Sequence, residues 1–502
     1  MTDPLQELAL AIDAACGRND AASLRRALEI IAQFDYESLT LEEQATLDFY
    51  AANAYAGLRR TQKAHQDWAW AQPLLENEIH HLRLALNRLV SAPKGNIATD
   101  LKFRVTTNLA NALNHAGRFV EAIELWDQAI SEHPSFSMAI GNRALALYWY
   151  ARYLNDGTTQ DLFLKESYVS FRLAASIGVE GHAQPHIQAW VTHLGNAANW
   201  DTVNPKVPRF RKGTSKVERQ YRNWCVQNRL VLSPVNDLSR DWVSLQDSLT
   251  LPAITFTARE ASATLPEAYA IFNQLKQEYV SARYLVFEAI QEQSKPLHFA
   301  DRGVVLYDAL DYRYYRLWIE KLKMAFLSAH AIFDKIAYLI NDYWKLELGV
   351  RGVNFNLIWY ADTSKSKIAD RFASSDNWPL RGLFWLSKDF SYKTKSDRAV
   401  VDPEAKILHE IRNHIAHKYL RVHDHTLYGT AEERARHGHD QSFPVSDLEL
   451  KEQSIKLLKL VRSALIYLSA AVTHEENRKL EKLEPGLIGS MPITSVGDKY
   501  RL

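Results

Sequence analysis

"TTNLANALNHAGRFVEAIELWDQAISEHP", residues 106–134, decides the architecture. Leu109, Ala110 and Leu113 recur at the three-to-four-residue spacing of one helix face. Gly117 and Phe119 mark a break, after which Ala122, Trp126 and Ala129 continue the period until Pro134 stops it. The stretch therefore reads as two helices and a short turn, with small residues at the contact and larger ones filling the gaps. One such hairpin cannot bury its apolar face alone, and about three or more must stack.

The pattern resembles the tetratricopeptide repeat. Only Thr106 departs from it, standing where an early tryptophan is usual. "YAANAYAGL" (50–58) can be laid on "LANALNHAG" (109–117), and "MAIGNRALALYWYARYL" (138–154) looks like a further first helix. Their spacing is not a regular 34, so the expectation over residues 1–200 is a degenerate array of helical hairpins. The resemblance implies a concave surface for a protein partner or trigger, and no chemistry of its own.

Composition narrows the classes. The 502 residues are 47% hydrophobic and 24% charged, an ordinary globular balance, and long enough for two or three cores. Lys+Arg is 60 against Asp+Glu 59, so any polyanion site has to be local. The two cysteines, Cys16 and Cys225, lie outside any CxxC pattern, which excludes a disulfide framework and fits a reducing cytosol. The N-terminal stretch lacks the basic start of a secretory signal, and no apolar run reaches membrane-spanning length. A cytoplasmic protein is expected.

At "TVNPKVPRFRKGTSKVERQYRNW" (202–224) the composition shifts. Pro205, Pro208 and Gly213 break the helical pattern, and seven basic residues face a single acid, Glu218. A basic linker is expected over 201–220. Lys206, Arg209, Arg211 and Lys212 are candidate phosphate contacts, although a solvated linker explains the same charge.

Helical periodicity then resumes in long units at 265–293, 314–344 and 447–480, with a further helix expected over 403–421. That last helix contains "EIRNHIAHKYL" (410–420). Leu408, Ile411, Ile415 and Val422 fall on one stripe, and Glu410, Asn413, His414 and His417 on roughly the opposite side, with Arg412 beside them. Such a face can bind anions and move protons. Histidine titrates near neutrality, and arginine holds a phosphate through paired donors.

Arg412-Asn413-x-x-x-His417 has the spacing of the RNxxxH motif of HEPN domains. "YRNWCVQNRLVLSPVNDL" (221–238), "FDKIAYLINDYW" (333–344), "LRGLFWLSKDF" (380–390) and the motif, in this order, resemble the LA2681-like HEPN family. The resemblance covers roughly 215–475 and implies an all-α HEPN-like domain, taken as 221–475, with a loosely ordered tail at 476–502. It also implies a metal-independent endoribonuclease without a cofactor, acting on RNA in antiphage defence, abortive infection or as a toxin. His417 is then the general acid/base and Arg412 the phosphate-holding residue. Asn413 would orient the histidine or the phosphate, Glu410 would fix Arg412 or a histidine, and His414 would assist. One helix offers one such arginine and histidine, so the resemblance implies a homodimer with a composite cleft.

Two other readings compete. His423-Asp424-His425 and His437-x-His439-Asp440 could ligate a metal, yet they lack the fixed helical spacing of HExxH. The polar face could also be a packing network in a scaffold protein. No P-loop, GxGxxG or GxSxG stretch supports another enzyme class.

Overall fold

The computed structural model describes residues 4–501 apart from 63–67, 94, 179–182, 207–209, 242–244, 257–265, 308–312, 350–351, 391–400, 426–441, 483–495 and 499–500. Nine helices make up the N-terminal part: α1 (Pro4–Gly17), α2 (Ala21–Ile31), α3 (Leu41–Arg60), α4 (Pro73–Ser91), α5 (Asn96–His115), α6 (Phe119–Glu132), α7 (Ser137–Ala151), α8 (Gly157–Ile177) and α9 (Ala183–Ala197), counted among the described residues. Consecutive helices pack on each other as a helical-hairpin array. Local chemistry sets their ends. Thr40 and Glu43 form a reciprocal capping box at α3, and Asp20 and Asp156 cap α2 and α8.

The stretch 106–134 folds as the hairpin α5–α6. Gly117, at φ +92°, ends α5 in a left-handed turn. The Arg118 N–H reaches the Leu113 carbonyl at 2.8 Å and the Gly117 N–H reaches Asn114 at 2.9 Å, the paired bonds of a Schellman cap. Trp126 and Ala129 are buried on α6.

The C-terminal part contains α10 (Lys216–Gln227), α11 (Val235–Leu238), α12 (Glu267–Gln293), α13 (Leu317–Tyr343), α14 (Asp370–Ala373), α15 (Trp378–Ser387), α16 (Ala405–His417), β1 (Tyr419–His423), β2 (Ser442–Ser446) and α17 (Asp447–Glu481). α12 and α13 pack along each other, and α17 crosses α12, α13 and α15. Between Leu457 and Val472 almost every residue of α17 is buried, as in a helix with core on all sides. Its one buried arginine, Arg462, is matched: Asp237 lies at 2.7 Å, and the Val231 and Ser233 carbonyls accept its other N–H groups.

The expected all-α class holds. The exception is a two-stranded parallel ladder, β1 with β2, pairing Tyr419 with Ser442 and His423 with Ser446. It corrects the helix expected over 403–421, which stops at His417. Tyr419, Leu420 and Val422 suit a pleated surface, and Leu420 and Val422 are buried there beside Val445.

Both parts share one apolar core, which runs from Ala45 to Val472. At the seam Trp70 packs 5.6 Å from Phe372 and 5.5 Å from Phe384, and its indole N–H donates to the Ser375 carbonyl. Trp378 donates to the Asn114 carbonyl at 3.1 Å. Gly117 and Gly382 meet backbone to backbone, so closely that a Cβ on either would collide with main-chain atoms of the other's segment. Asp389, in the 3₁₀ turn Lys388–Phe390 after α15, lies between two arginines of the array. Arg83 reaches it at 2.7 and 3.1 Å and Arg118 at 2.7 Å. Burial alone would raise the Asp389 carboxyl; Arg118 and Arg83 outweigh it and hold the group at about 2.

Candidate active site

α16 is fixed at its start and open at its end. Asp402 accepts from the Glu404 N–H at 2.9 Å, and Lys456 of α17 reaches Asp402 at 3.0 Å and Glu404 at 2.6 Å. Arg83 of the array donates to the Val401 carbonyl at 3.2 Å, so the N-terminal part touches the entry to this helix. Ala405, Leu408 and Ile411 form the buried stripe. α16 packs on α13, on both strands and on the 3₁₀ turn at 388–390.

Arg412 and Asn413 are half-buried, and His417 is exposed in the last helical residue. The Arg412 guanidinium donates to Asn413 Oδ1 at 3.4 Å, and Asn413 Nδ2 donates to Nε2 of His409 at 3.3 Å. The amide therefore links Arg412 to the histidine one turn earlier. His330 of α13 joins this group. Burial lowers its pKa to about 4, with smaller contributions from the positive fields of Arg412 and His409. Its ring lies 5.6 Å from Phe390 and 6.4 Å from Phe333.

The expected face thus divides. His414 is 4% exposed, packs 5.5 Å from the Phe443 ring, and bonds the Glu410 carbonyl at 2.8 Å and its carboxylate at 3.3 Å. Glu410 accordingly holds His414. The cause is β2, which covers the flank that a helical wheel alone leaves to solvent. Arg412, Asn413, His409 and His330 are brought together, and His417 stands at the exposed helix end. The sequence reading missed His330. Its only signal was a histidine within the otherwise apolar period of "FLSAHAIFDKI", on a helix already expected to pack in this region.

Other candidates are dispersed. Lys206, Arg211 and Lys212 are exposed ahead of α10, and Arg209 lies outside the described residues. His423 is buried on β1, and His425 is 2.8 Å from Asp447, while His437 and His439 lie outside the described residues. Among the described residues no group of three or more His, Cys, Asp or Glu side chains is placed to hold a metal ion. No helix among the described residues is long and apolar enough to cross a membrane.

Residues 259–475 match the family model described as LA2681-like HEPN, and the chain carries a HEPN domain of that type. HEPN domains are generally of ribonuclease type, and they often bind RNA and dimerise. Searches of curated proteins and of solved structures gave no match to this chain.

Proposed function

We propose that the chain is a metal-independent endoribonuclease whose reacting groups stand on α16. The observation that carries this reading is the presence on one helix of an exposed His417 and of an Arg412 bonded to Asn413, which in turn bonds His409, within a HEPN domain. In the proposed reaction the ribose 2′-oxygen attacks the adjacent phosphorus and the bond to the 5′-oxygen breaks. The products are a 2′,3′-cyclic phosphate and a 5′-hydroxyl. One base removes the 2′-hydroxyl proton and one acid protonates the leaving oxygen. His417 supplies proton transfer and Arg412 neutralises the charge that builds on the phosphorane oxygens.

Each protomer has one such pair, so we propose that two chains join across this face, each contributing His417 and Arg412 to one cleft. Lys206, Arg211 and Lys212 are proposed to assist RNA binding through phosphate contacts. In this reading the first ~200 residues regulate residues 221–475 in response to a protein trigger, and the enzyme acts in the cytoplasm as an antiphage, abortive-infection or toxin effector.

The test uses purified full-length protein and total RNA in EDTA. Wild type should cleave, and Arg412→Ala and His417→Ala should both be inactive. Equal cleavage by all three proteins eliminates this site. Cleavage that appears only on adding metal points to the 423–440 histidines. Persistent silence of a folded dimer supports the scaffold reading.

A further inference from the structure

An unassigned cavity of about 730 Å³ lies at the seam, walled by α5 and α7 of the array and by the start of α15. Its size falls within the range of small-molecule sites, roughly 300–1,000 Å³. Trp126 is buried at its wall, while Trp68 and Trp149 are 61% and 39% exposed at its edge. Two partly exposed indoles beside a concave site offer flat, apolar surface to a ligand.

Amides stand among these rings. Asn111 Oδ1 accepts from Trp126 at 3.2 Å and from Asn142 at 2.9 Å, which fixes both asparagines across the α5–α7 wall. Asn114 also lines the cavity, and its Oδ1 is shielded from solvent without a donor. A ligand N–H placed there would satisfy it.

Guanidinium groups also stand on the lining. Arg59 and Arg381 both line the cavity. Arg59 is ion-paired with Glu78 at 3.0 Å, and the Arg381 guanidinium lies 5.5 Å from the Trp68 ring centroid. The one carboxylate on the lining, Asp376, is drawn to His474 at 3.3 Å and Arg478 at 3.9 Å.

Flat aromatic walls, asparagine amides and guanidinium groups together fit a planar base with polar edges and an attached phosphate. We infer that this seam cavity is a nucleotide-binding site. Trp149 and Trp68 stack on the base, Asn114 accepts from a ring or exocyclic N–H, and Arg381 faces the phosphate. The site draws walls from both parts of the chain, so an occupant contacts the array and α15 together.

Isothermal titration of the full-length protein tests this with ATP, GTP, CTP, UTP, their monophosphates and cyclic dinucleotides of adenine and guanine. At least one should bind saturably, and Trp149→Ala and Trp68→Ala should each weaken it about tenfold or more, the usual worth of a base stack. Thermal denaturation checks that both variants are folded at the temperature of the titration. Absence of saturable binding by every nucleotide overturns the inference, as does wild-type affinity in both variants. Binding of library peptides in place of nucleotides, lost in Trp149→Ala, also overturns it and makes the cavity a protein-docking site. The titration reads binding alone, so its outcome is independent of RNA cleavage.

Discussion

The seam between the array and the HEPN domain and the polar face of α16 are both rich in charged groups, yet they are built on opposite rules. At the seam several buried or half-buried charges meet close opposites. Asp389 lies between Arg83 and Arg118, Lys388 meets Glu76 at 2.6 Å, and Lys459 meets Glu124 at 2.7 Å. Such matching satisfies groups whose burial folding has forced, and it explains them completely. On α16, Arg412 is tied only through an amide at 3.4 Å, and His417 stands in solvent. Among the described residues, neither is matched by an opposite charge of the kind that ties the seam together. Groups left without such a match are the better candidates for chemistry.

The sharpest way to break this contrast is at Asp389. Asp389→Ala takes the carboxylate from Arg83 and leaves Arg118 with Glu121 alone, a loss of about 3–5 kcal/mol on the scale of broken buried ion pairs. Urea denaturation should show it as an earlier midpoint. A change within 0.5 kcal/mol, near the ~1 kcal/mol ceiling of exposed pairs, would mean that the seam opens to water in solution.

On α16 the expectation reverses. His417→Ala should leave the denaturation midpoint within the ~0.5 kcal/mol usual for surface substitutions. RNA cleavage should fall by about 10²–10⁴, the usual contribution of a positioned acid or base. A variant that loses stability and activity in proportion would place His417 in the packing and remove the distinction.

A smaller effect belongs to the glycine contact. Gly382→Ala puts a methyl group against the Gly117 carbonyl, and neither backbone can yield without moving a helix. Overpacking of this kind costs about 1–3 kcal/mol. Thermal denaturation should register a lower midpoint, and wild-type stability would show that the two segments are not in contact.

The sequence made some of this legible and hid the rest for identifiable reasons. The hairpin at 106–134 and the long helices α12, α13 and α17 could be read because their apolar period extends over many turns and Gly117 and Pro134 punctuate it. The seam could not. Trp70, Arg83 and Gly382 look ordinary in one dimension, and only the tertiary approach of α4, α5 and α15 gives them partners. At the candidate site, Arg412, Asn413 and His417 were found from spacing on one helix. His330 was invisible to that method because it comes from α13. His414 was misplaced because β2 covers a flank that a helical wheel treats as solvent. The strand itself escaped notice because "KYLRVH" continues a helical pattern without a glycine or proline to stop it.

His330 supplies the finest test, because it joins a buried environment to the reactive face. Its folded pKa is about 4, below the ordinary histidine value of 6.5, since burial and the nearby Arg412 and His409 disfavour the cation. Between those values the unfolded chain binds more protons than the native one, so stability rises with pH. The contribution of neutral His330 is therefore full above about pH 6.5 and is lost progressively as the pH falls toward 4. At pH 5.5 the loss is about 1.4 kcal/mol relative to pH 8, roughly one pH unit of linkage. His330→Phe, which keeps an aromatic ring beside Phe333 and Phe390, should flatten this part of the pH–stability curve. Urea midpoints at pH 5.5 and pH 8 for both proteins provide the comparison. Equal slopes would show that His330 is already solvated, and that the α16 face is open to water on its inner side as well as at His417.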